Sequence, residues 1–449
     1  MLSDPIAALA TPPGRSAIAV VRLSGDGAFA VAARVIPGFD PKPRVAQLAS
    51  FVGADGVAID RGLYTAFPAP ASYTGEDTVE FSCHGGLLAP LRLLDALHAA
   101  GARPAAPGEF TRRAVVNGRL DLLQAEAIGD LIDATAPEQA RSALAQLDGN
   151  LSSRIAGLRT ALVELEALLG YDIDFPGEDD GPVPHERIAA ARDDAAARID
   201  RLLATAPAGE RLREGALVVL AGPPNAGKSS LFNALLGSDR ALVTEIAGTT
   251  RDAIEAHTSF LGWPVRLVDT AGLRETEDRI ERLGVETSRR WLDAADLVLL
   301  CDESGAAVMG GIDPGRVLPV GTKADLRRHA ERLPAADSSQ ADRGGPLAVS
   351  AVTGEGLDEL RRRVAERLFG ARVALADLEP ALSRARHRAA LSRARTELEE
   401  ARPHFARGGD AVLAAHHVRR ATLALDELVG VVDIEEVLDR IFRSFCVGK

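Results

Sequence analysis

Residues 222–229 read Gly-Pro-Pro-Asn-Ala-Gly-Lys-Ser, a glycine-rich stretch that indicates how the neighbouring chain folds. An apolar run of strand character, 216–221, precedes it, and a segment with helical spacing, 230–237, follows. Glycines let backbone N–H groups turn towards the β- and γ-phosphates of a nucleotide, Lys228 adds a positive charge there, and the Ser229 hydroxyl can ligate Mg²⁺. The order strand, glycine-rich loop, helix therefore predicts a phosphate-cradling loop.

Two later segments extend this site. Asp269-Thr-Ala-Gly272 closes the apolar run 265–268, where an acid can hold Mg²⁺ through water and a glycine can sense the γ-phosphate. Gly248-Thr-Thr-Arg-Asp252 offers a threonine hydroxyl to the metal, as GTPase switch loops do. Ras-like GTPases carry a water-orienting glutamine after the glycine, but this chain has Leu273. Another group must therefore position the attacking water.

Base choice depends on two short segments that follow predicted strands. Thr322-Lys-Ala-Asp325 follows the strand 317–320, and Ser350-Ala-Val352 follows the strand 347–349. Asp325 can accept hydrogen bonds from guanine N1–H and the 2-amino group, which adenine does not offer in that form. The segments favour GTP over ATP. GTPases usually have asparagine at the position of Thr322, and the sequence leaves the effect of that change on guanine affinity open.

Composition limits the class of protein. At roughly 150 residues per domain, 449 residues suggest about three domains. The net charge of −12 argues against a protein that coats nucleic acid non-specifically. We expect a cytoplasmic protein without a membrane span, because no apolar run approaches the necessary length and the first residues lack a secretion signal. The three cysteines are far apart, so we expect neither a disulfide framework nor a zinc knuckle, and Cys83 and Cys301 read as strand core.

The pattern of apolar residues changes along the chain and predicts a multidomain protein with α+β and α/β parts. Residues 1–117 are rich in short strands, such as 16–23 and 78–82. Leucines and one isoleucine then recur at spacings of three and four from Leu144 to Leu169, which predicts one long helix that needs a partner. A second helix is expected from His185 to about residue 204, with 206–209 as a linker.

Apolar strands alternate with helices from residue 216 to about 369, which indicates a parallel sheet buried on both faces. After residue 380 the chain reads as helix again. The simplest arrangement packs this tail on the helices of 118–205 and makes the α/β part an insertion. The predicted domain bounds are 1–117, 118–210, 211–372 and 373–449.

A basic stretch in the last part of the chain has two interpretations. Five arginines alternate with other residues there: Arg384, Arg386, Arg388, Arg393 and Arg395. They fit a local RNA-binding patch, and they also fit the solvated face of a helix.

Motifs outside the nucleotide site carry a resemblance over nearly the whole chain. They are Asp4 to Gly14, Tyr73 to Asp77, His84-Gly-Gly86, Pro107 to Arg113, Asn117 to Asp121, Gln124 to Ala127 and the terminal Phe445-Cys-Val-Gly-Lys449. With them the sequence resembles the MnmE (TrmE) family of tRNA-modification GTPases. The resemblance implies an N-terminal folate-binding-like α+β domain that dimerises, a discontinuous α-helical domain, an inserted Ras-like P-loop GTPase domain, and a homodimer.

The resemblance also implies roles for single residues. A pocket for 5-formyltetrahydrofolate or a related tetrahydrofolate would be formed by Arg22, Glu80, Arg119 and Lys449. K⁺ would be held by Asn225, Thr244, Ile246 and Thr249, and Mg²⁺ by Ser229 and Thr250. Glu281 matches the catalytic glutamate and Lys228 is expected to act on the phosphates. Cys446 is either a nucleophile, since only a thiolate attacks well, or a residue that shapes the pocket, and His84 either touches folate or is structural.

The full set expected to bind GTP is Asn225, Ala226, Gly227, Lys228, Ser229, Ser230, Thr244, Glu245, Ile246, Ala247, Gly248, Thr249, Thr250, Asp269, Thr270, Ala271, Gly272, Thr322, Lys323, Asp325, Ser350, Ala351 and Val352.

The activity implied is GTP hydrolysis coupled to modification of carbon 5 of uridine 34 in tRNA, with a folate one-carbon donor. A flavin-dependent partner of the MnmG type would complete a heterotetramer, and the product would be aminomethyl or carboxymethylaminomethyl uridine. Two rival hypotheses are a ribosome-assembly GTPase that acts only as a switch, and a folate-binding protein whose GTPase domain is an interaction module.

Overall fold

The computed structural model describes residues 3–174, 183–237, 254–269, 289–305, 310–326, 347–373, 381–405, 409–430, 441–442, 445–446 and 448. The chain divides into two compact units. Unit 1 comprises Met1–Gly129, Gln146–Ala195 and Arg393–Lys449, and unit 2 comprises 130–145 and 196–392. The domain bounds expected from the sequence stay predictions. None of the described helices is long and apolar enough to cross a membrane.

A mixed sheet forms the first part of unit 1. Its strands are β1 (Ile6–Leu9), β2 (Ile18–Ser24), β3 (Gln47–Val52), β4 (Ala58–Phe67), β5 (Thr78–His84) and β6 (Arg103–Pro104), in the order β3-β4-β5-β2-β1-β6. All pairs are antiparallel except β1 with β6. Helices α1 (Ala28–Val35) and α2 (Ala89–Ala99) bury their apolar faces in one core with the sheet. The expected strands 16–23 and 78–82 correspond to β2 and β5.

Helices follow the sheet: α3 (Glu109–Val116), α4 (Leu122–Asp133), α5 (Pro137–Leu147), α6 (Asn150–Asp174) and α7 (His185–Glu214). The prediction of one long helix through Leu144 and Leu169 was wrong. The chain breaks between α5 and α6 because Gly149 takes φ +88°, a left-handed conformation that ends a helix. Leu144 on α5 is 49% exposed, whereas the seam from Leu151 to Leu169 on α6 is buried.

The second predicted helix end was also wrong. Helix α7 continues through the expected linker and carries Pro207 in its interior. Packing within unit 2 outweighs the hydrogen bond that proline removes, since Ala206 is fully buried and Gly209 meets the backbone of Leu382. Thr205 Oγ1 accepts from the backbone N–H of Leu382 at 3.1 Å.

The apolar seam of α6 finds the partner it needs in the last part of the chain. After α8 and α9 of unit 2, described below, come α10 (Ala385–Ala401) and α11 (Ala411–Val429), and α11 packs along α6. Arg159 Nε on α6 donates to Asp426 Oδ1 on α11 at 2.5 Å. The expected packing of the tail on the earlier helices is confirmed for this pair.

Unit 2 contains the predicted parallel sheet. Its strands are β7 (Ala216–Ala221), β8 (Ile254–Phe260), β9 (Trp263–Asp269), β10 (Leu297–Asp302), β11 (Val317–Gly321) and β12 (Leu347–Ala348), in the order β12-β11-β10-β7-β9-β8. Only the edge pair β8 with β9 is antiparallel among the described strands. Helices α8 (Lys228–Leu236) and α9 (Leu357–Val373) bury apolar residues in its main core. Every residue of β7 is buried, as expected for a central strand covered on both faces.

Candidate functional site

The loop between β7 and α8 has the backbone that a phosphate cradle requires. Gly222 has φ +142°, and a Cβ there would lie 2.0 Å from the carbonyl oxygen of Cys301. Asn225 and Gly227 are left-handed, with φ +61° and +79°. Gly227 then caps α8, whose N-terminus turns the positive end of the helix dipole towards the loop. This backbone geometry from Asn225 to Ser230 suits the binding of an anion.

Lys228, the first residue of α8, is folded over this loop. Its Nζ donates to the carbonyl oxygens of Gly222 at 3.1 Å and Pro223 at 2.8 Å, and the residue is 7% exposed. A buried ammonium held at the mouth of an anion-binding turn supplies a fixed positive charge for a phosphate.

Thr322 connects the base-reading segment to the phosphate loop. The residue is 3% exposed, and its Oγ1 donates to the carbonyl oxygen of Ala226 at 2.7 Å. A hydroxyl therefore anchors the phosphate loop at the position where GTPases usually have an amide. The sequence alone did not reveal this contact, because the two residues are 96 positions apart.

Asp325 and Ser350 come together from separate segments. Ser350, fully buried, donates from Oγ to Asp325 Oδ1 at 2.6 Å. The same Oγ accepts from the backbone N–H groups of Val352 and Thr353 at 3.3 and 3.2 Å. One carboxylate oxygen of Asp325 is thereby fixed. Lys323 has φ +55° and pairs through Nζ with Glu303 Oε1 at 2.5 Å, while Val352 is 85% exposed.

Asp269 ends β9 beside the loop strand. It pairs in register with Leu220 and is 2% exposed. Burial raises the pKa of the neighbouring Cys301 thiol to about 12, the charge of Lys228 opposes this shift, and the charge of Asp269 adds to it. Cys301 is therefore a core thiol, as expected. Lys228 and Asp269, with opposite charges, both act on this thiol.

Several expected site residues lie outside the described part of the chain. They are Thr244, Glu245, Ile246, Ala247, Gly248, Thr249, Thr250, Thr270, Ala271, Gly272, Glu281 and Lys449. Their roles, including most of the K⁺ set and the catalytic glutamate, stay predictions.

A second group of expected residues meets in unit 1. Arg22 on β2 and Glu80 on β5 are cross-strand partners, and Arg22 donates from Nε and Nη2 to Glu80 Oε1 at 3.0 and 2.8 Å. The guanidinium lies 5.3 Å from the ring centroid of Tyr73 and 5.6 Å from that of Phe110. The sequence did not reveal that these two rings contact Arg22, although both Tyr73 and Phe110 lie in motifs named above.

Arg119 lies next to the same aromatic loop. It is exposed, and its Cγ is 3.2 Å from the position that a Cβ on Gly75 would occupy. Asn117 holds this approach by donating from Nδ2 to the carbonyl oxygen of Thr74 at 2.7 Å. Arg22 and Arg119 therefore both neighbour the loop that begins at Tyr73.

A buried ionic network supports the loop from behind. Arg113, 1% exposed, donates to Glu109 Oε1 at 2.9 Å and Glu76 Oε2 at 3.2 Å, and Arg103 Nη2 donates to Glu109 Oε1 at 2.6 Å. Burial opposes ionisation of Glu109, but the hydrogen bonds from Arg103, the Ala106 N–H and Arg113 outweigh it and lower the pKa to about 2. The network is charged at neutral pH and fixes Glu76 within the loop.

Near the C-terminus, Gly448 lies against β1, the strand that pairs with the strand of Arg22. The carbonyl oxygen of Cys446 accepts from the N–H of Gly108 at 3.3 Å, and a Cβ on Gly448 would lie 2.2 Å from the carbonyl oxygen of Leu9. In β1, Ala8 pairs with Arg22. The Cys446 side chain is exposed, so neither interpretation of this thiol is excluded by burial.

Two other expectations concern surface residues. Arginines of the basic stretch pair with acids: Arg384 with Asp130, Arg388 with Glu210, Arg393 with Glu427 and Arg395 with Glu399. These pairs neutralise the stretch and favour the solvated-face interpretation over an RNA patch. His84 pairs through Nδ1 with Asp60 Oδ1 at 2.8 Å, and Cys83 is buried as expected.

Comparisons with known proteins agree along the chain. A family model described as the MnmE helical domain matches residues 122–446, and one described as the GTP-binding protein TrmE N-terminus matches residues 5–119. The tRNA modification GTPase MnmE of Moorella thermoacetica is 43% identical over 464 residues, which cover 100% of both chains. That of Methylobacterium radiotolerans is 45% identical over 455 residues, which cover 100% of this chain and 99% of the relative. The G domain of the T. maritima FeoB iron transporter is 29% identical over an alignment that covers 34% of this chain and 98% of that domain, with a TM-score of 0.23.

Proposed function

Because the chain belongs to the MnmE family of tRNA modification GTPases, we propose that its GTP hydrolysis serves modification of carbon 5 of uridine 34 in tRNA. The observation that carries the proposal is the match over the whole chain, which includes the N-terminal motifs as well as the phosphate loop. A switch GTPase of another class would need only the phosphate loop and the base-reading segment. The match therefore weighs against a ribosome-assembly GTPase.

The nucleotide-binding roles follow from the geometry of unit 2. The turn from Asn225 to Ser230 would hold the phosphates through backbone N–H groups, with Lys228 as the fixed charge. Asp325, held on one oxygen by Ser350, keeps its other oxygen for guanine N–H groups. This arrangement supports GTP as the substrate.

Two cations are part of the proposal. Mg²⁺ would be held by Ser229 and Thr250, and Asp269, buried at the end of β9, fits as an acid that holds it through water. K⁺ would be held by Asn225, Thr244, Ile246 and Thr249, and the left-handed backbone of Asn225 supports a special role at that position. Both cations supply charge that offsets the developing negative charge on the phosphates. Glu281 would then position the attacking water, because Leu273 has no polar group.

A tetrahydrofolate in unit 1 is proposed as the one-carbon donor. The donor set fits such a ligand, since Arg22 and Arg119 offer cations for carboxylates and Glu80 offers an acceptor for ring N–H groups. Lys449 would add a further cation. A flavin-dependent partner of the MnmG type would supply the redox chemistry, since this chain shows no dinucleotide-binding motif.

A homodimer is the proposed assembly. Large apolar side chains are exposed around the start of α2, where Leu87 and Leu88 are each 66% exposed and Leu91 is 58% exposed. A patch of this kind favours burial against another protein surface, and we assign it to a second copy of the chain.

Mass spectrometry of tRNA nucleosides tests the proposed reaction. A strain that lacks the gene should lose C5-modified wobble uridine, the wild-type gene should restore it, and Lys228→Ala should not. If the deletion strain keeps the wild-type amount of C5-modified wobble uridine, the protein does not take part in the proposed reaction.

A further inference from the structure

Helices α10 and α11 bring one imidazole and two carboxylates together on facing sides in unit 1. His417 Nδ1 on α11 lies 2.8 Å from Glu397 Oε2 and 3.6 Å from Glu400 Oε2, both on α10. The three potential ligand atoms lie within 4.8 Å of one another. We call Glu397, Glu400 and His417 the triad. It is independent of the nucleotide and folate sites.

The triad differs from the solvated acids of an ordinary helix surface. Glu397 is 8% exposed, and Arg420 Nη2 donates to its Oε1 at 2.8 Å, which leaves Oε2 to face the other members. Glu400 stands three residues later on α10 and so shares that helix face. The ring of His404 stacks on that of His417, with centroids 6.1 Å apart and planes 13° apart, and restrains the imidazole.

We propose that the triad binds one Zn²⁺ ion that links α10 to α11. An imidazole nitrogen with carboxylate oxygens is a ligand set that zinc accepts, with water in the fourth position, whereas Ca²⁺ and Mg²⁺ need more oxygen ligands. Two carboxylates with the guanidinium of Arg420 leave one net negative charge beside the divalent ion. In binding, Nδ1 presents its lone pair to the ion and the ring proton is carried on Nε2.

Zinc binding to the full chain tests this proposal. Metal-depleted protein is dialysed against micromolar ZnCl₂ and its zinc is counted by mass spectrometry. Wild type should hold one zinc per chain more than His417→Ala, and Glu400→Gln, an exposed and conservative change, should weaken zinc affinity at least about tenfold. The matched control is His416→Ala, because this exposed imidazole adjoins His417 at a centroid distance of 5.7 Å but lies outside the triad.

Thermal unfolding provides a second readout. Zinc should raise the melting temperature of wild type and of His416→Ala, because an ion that binds only the folded state stabilises it; it should raise that of Glu400→Gln less and leave that of His417→Ala unchanged. Circular dichroism without zinc establishes that each variant is folded. Equal zinc content in wild type and both triad variants would overturn the proposal, as would an equal loss in His416→Ala.

Discussion

At the scale of single residues, the proposed base choice depends on the carboxylate of Asp325. Asp325→Asn should lower GTP affinity and raise affinity for xanthosine triphosphate, because an amide can donate to the 2-carbonyl of xanthine. Ser350→Ala should lose part of the GTP affinity without the change of preference, since it removes the hydroxyl that holds the carboxylate and the N–H groups of Val352 and Thr353 but leaves Asp325 in place. Nucleotide titration by calorimetry measures both, and unchanged GTP binding in Asp325→Asn would exclude base reading by this residue.

Thr322 permits a sharper single-residue test. Thr322→Val removes the hydroxyl at nearly constant volume and leaves the carbonyl oxygen of Ala226 without this donor, which costs about 1–3 kcal/mol. We expect GTP affinity to fall about tenfold as the phosphate loop loses its anchor. Thr322→Ser keeps the hydroxyl and is the control. Equal affinity of the two variants, measured with a fluorescent GTP analogue, would contradict the anchoring role.

At the scale of elements, the loop that begins at Tyr73 is held by Arg22 on one side and by the ionic network of Arg113 on the other. Glu80→Gln and Tyr73→Ala should weaken binding of 5-formyltetrahydrofolate, the first by loss of the carboxylate and the second by loss of the ring that holds Arg22. GTP turnover should stay near wild type in both. Calorimetry that finds full folate affinity in both variants would remove the pocket assignment.

The ionic network behind that loop has a defined pH dependence. The folded pKa of Glu109 is about 2, below its ordinary 4.5, so its stabilising contribution is present above about pH 4.5 and is lost as pH falls towards 2. The contribution is about 3 kcal/mol. Calorimetric melting should show a drop over this window that is smaller in Glu109→Gln, while exposed Glu186→Gln melts as wild type does. Parallel curves for Glu109→Gln and wild type would contradict it.

The sequence predicted the buried strands correctly but did not predict the features that depend on contacts between distant residues. Strands β7, β10 and β11 were predicted from continuous apolar runs, because central strands are covered on both faces. The edge strand β8 was missed, although Ala256, Thr258 and Phe260 alternate as its buried residues. The path of α7 through Pro207 and the pairing of Thr322 with Ala226 depend on residues far apart in sequence, so local pattern could not reveal them.

At the scale of the whole molecule, hydrolysis should depend on the cation. Turnover should be several-fold faster in K⁺ than in Na⁺ at equal concentration, and Asn225→Ala should abolish that preference. Glu281→Ala should bind GTP normally yet turn over about 10²-fold more slowly, because only water positioning is lost. Phosphate release assays in the two salts measure both effects. Equal rates in the two salts would contradict the K⁺ site. Near wild-type turnover of Glu281→Ala would show that another group positions the attacking water.

The long sequence separation between α6 and α11 has a consequence for biosynthesis. Arg159 and Asp426 pair although they are 267 positions apart in the chain. At roughly 5–20 residues per second, a ribosome needs roughly 15–50 s to deliver α11 after α6 has been made. Throughout that interval the nascent chain presents a leucine-lined helix surface to the solvent. We therefore expect chaperones to bind this surface of α6 during synthesis. A chain that terminates before α11 is made would keep the surface uncovered and would be prone to aggregate.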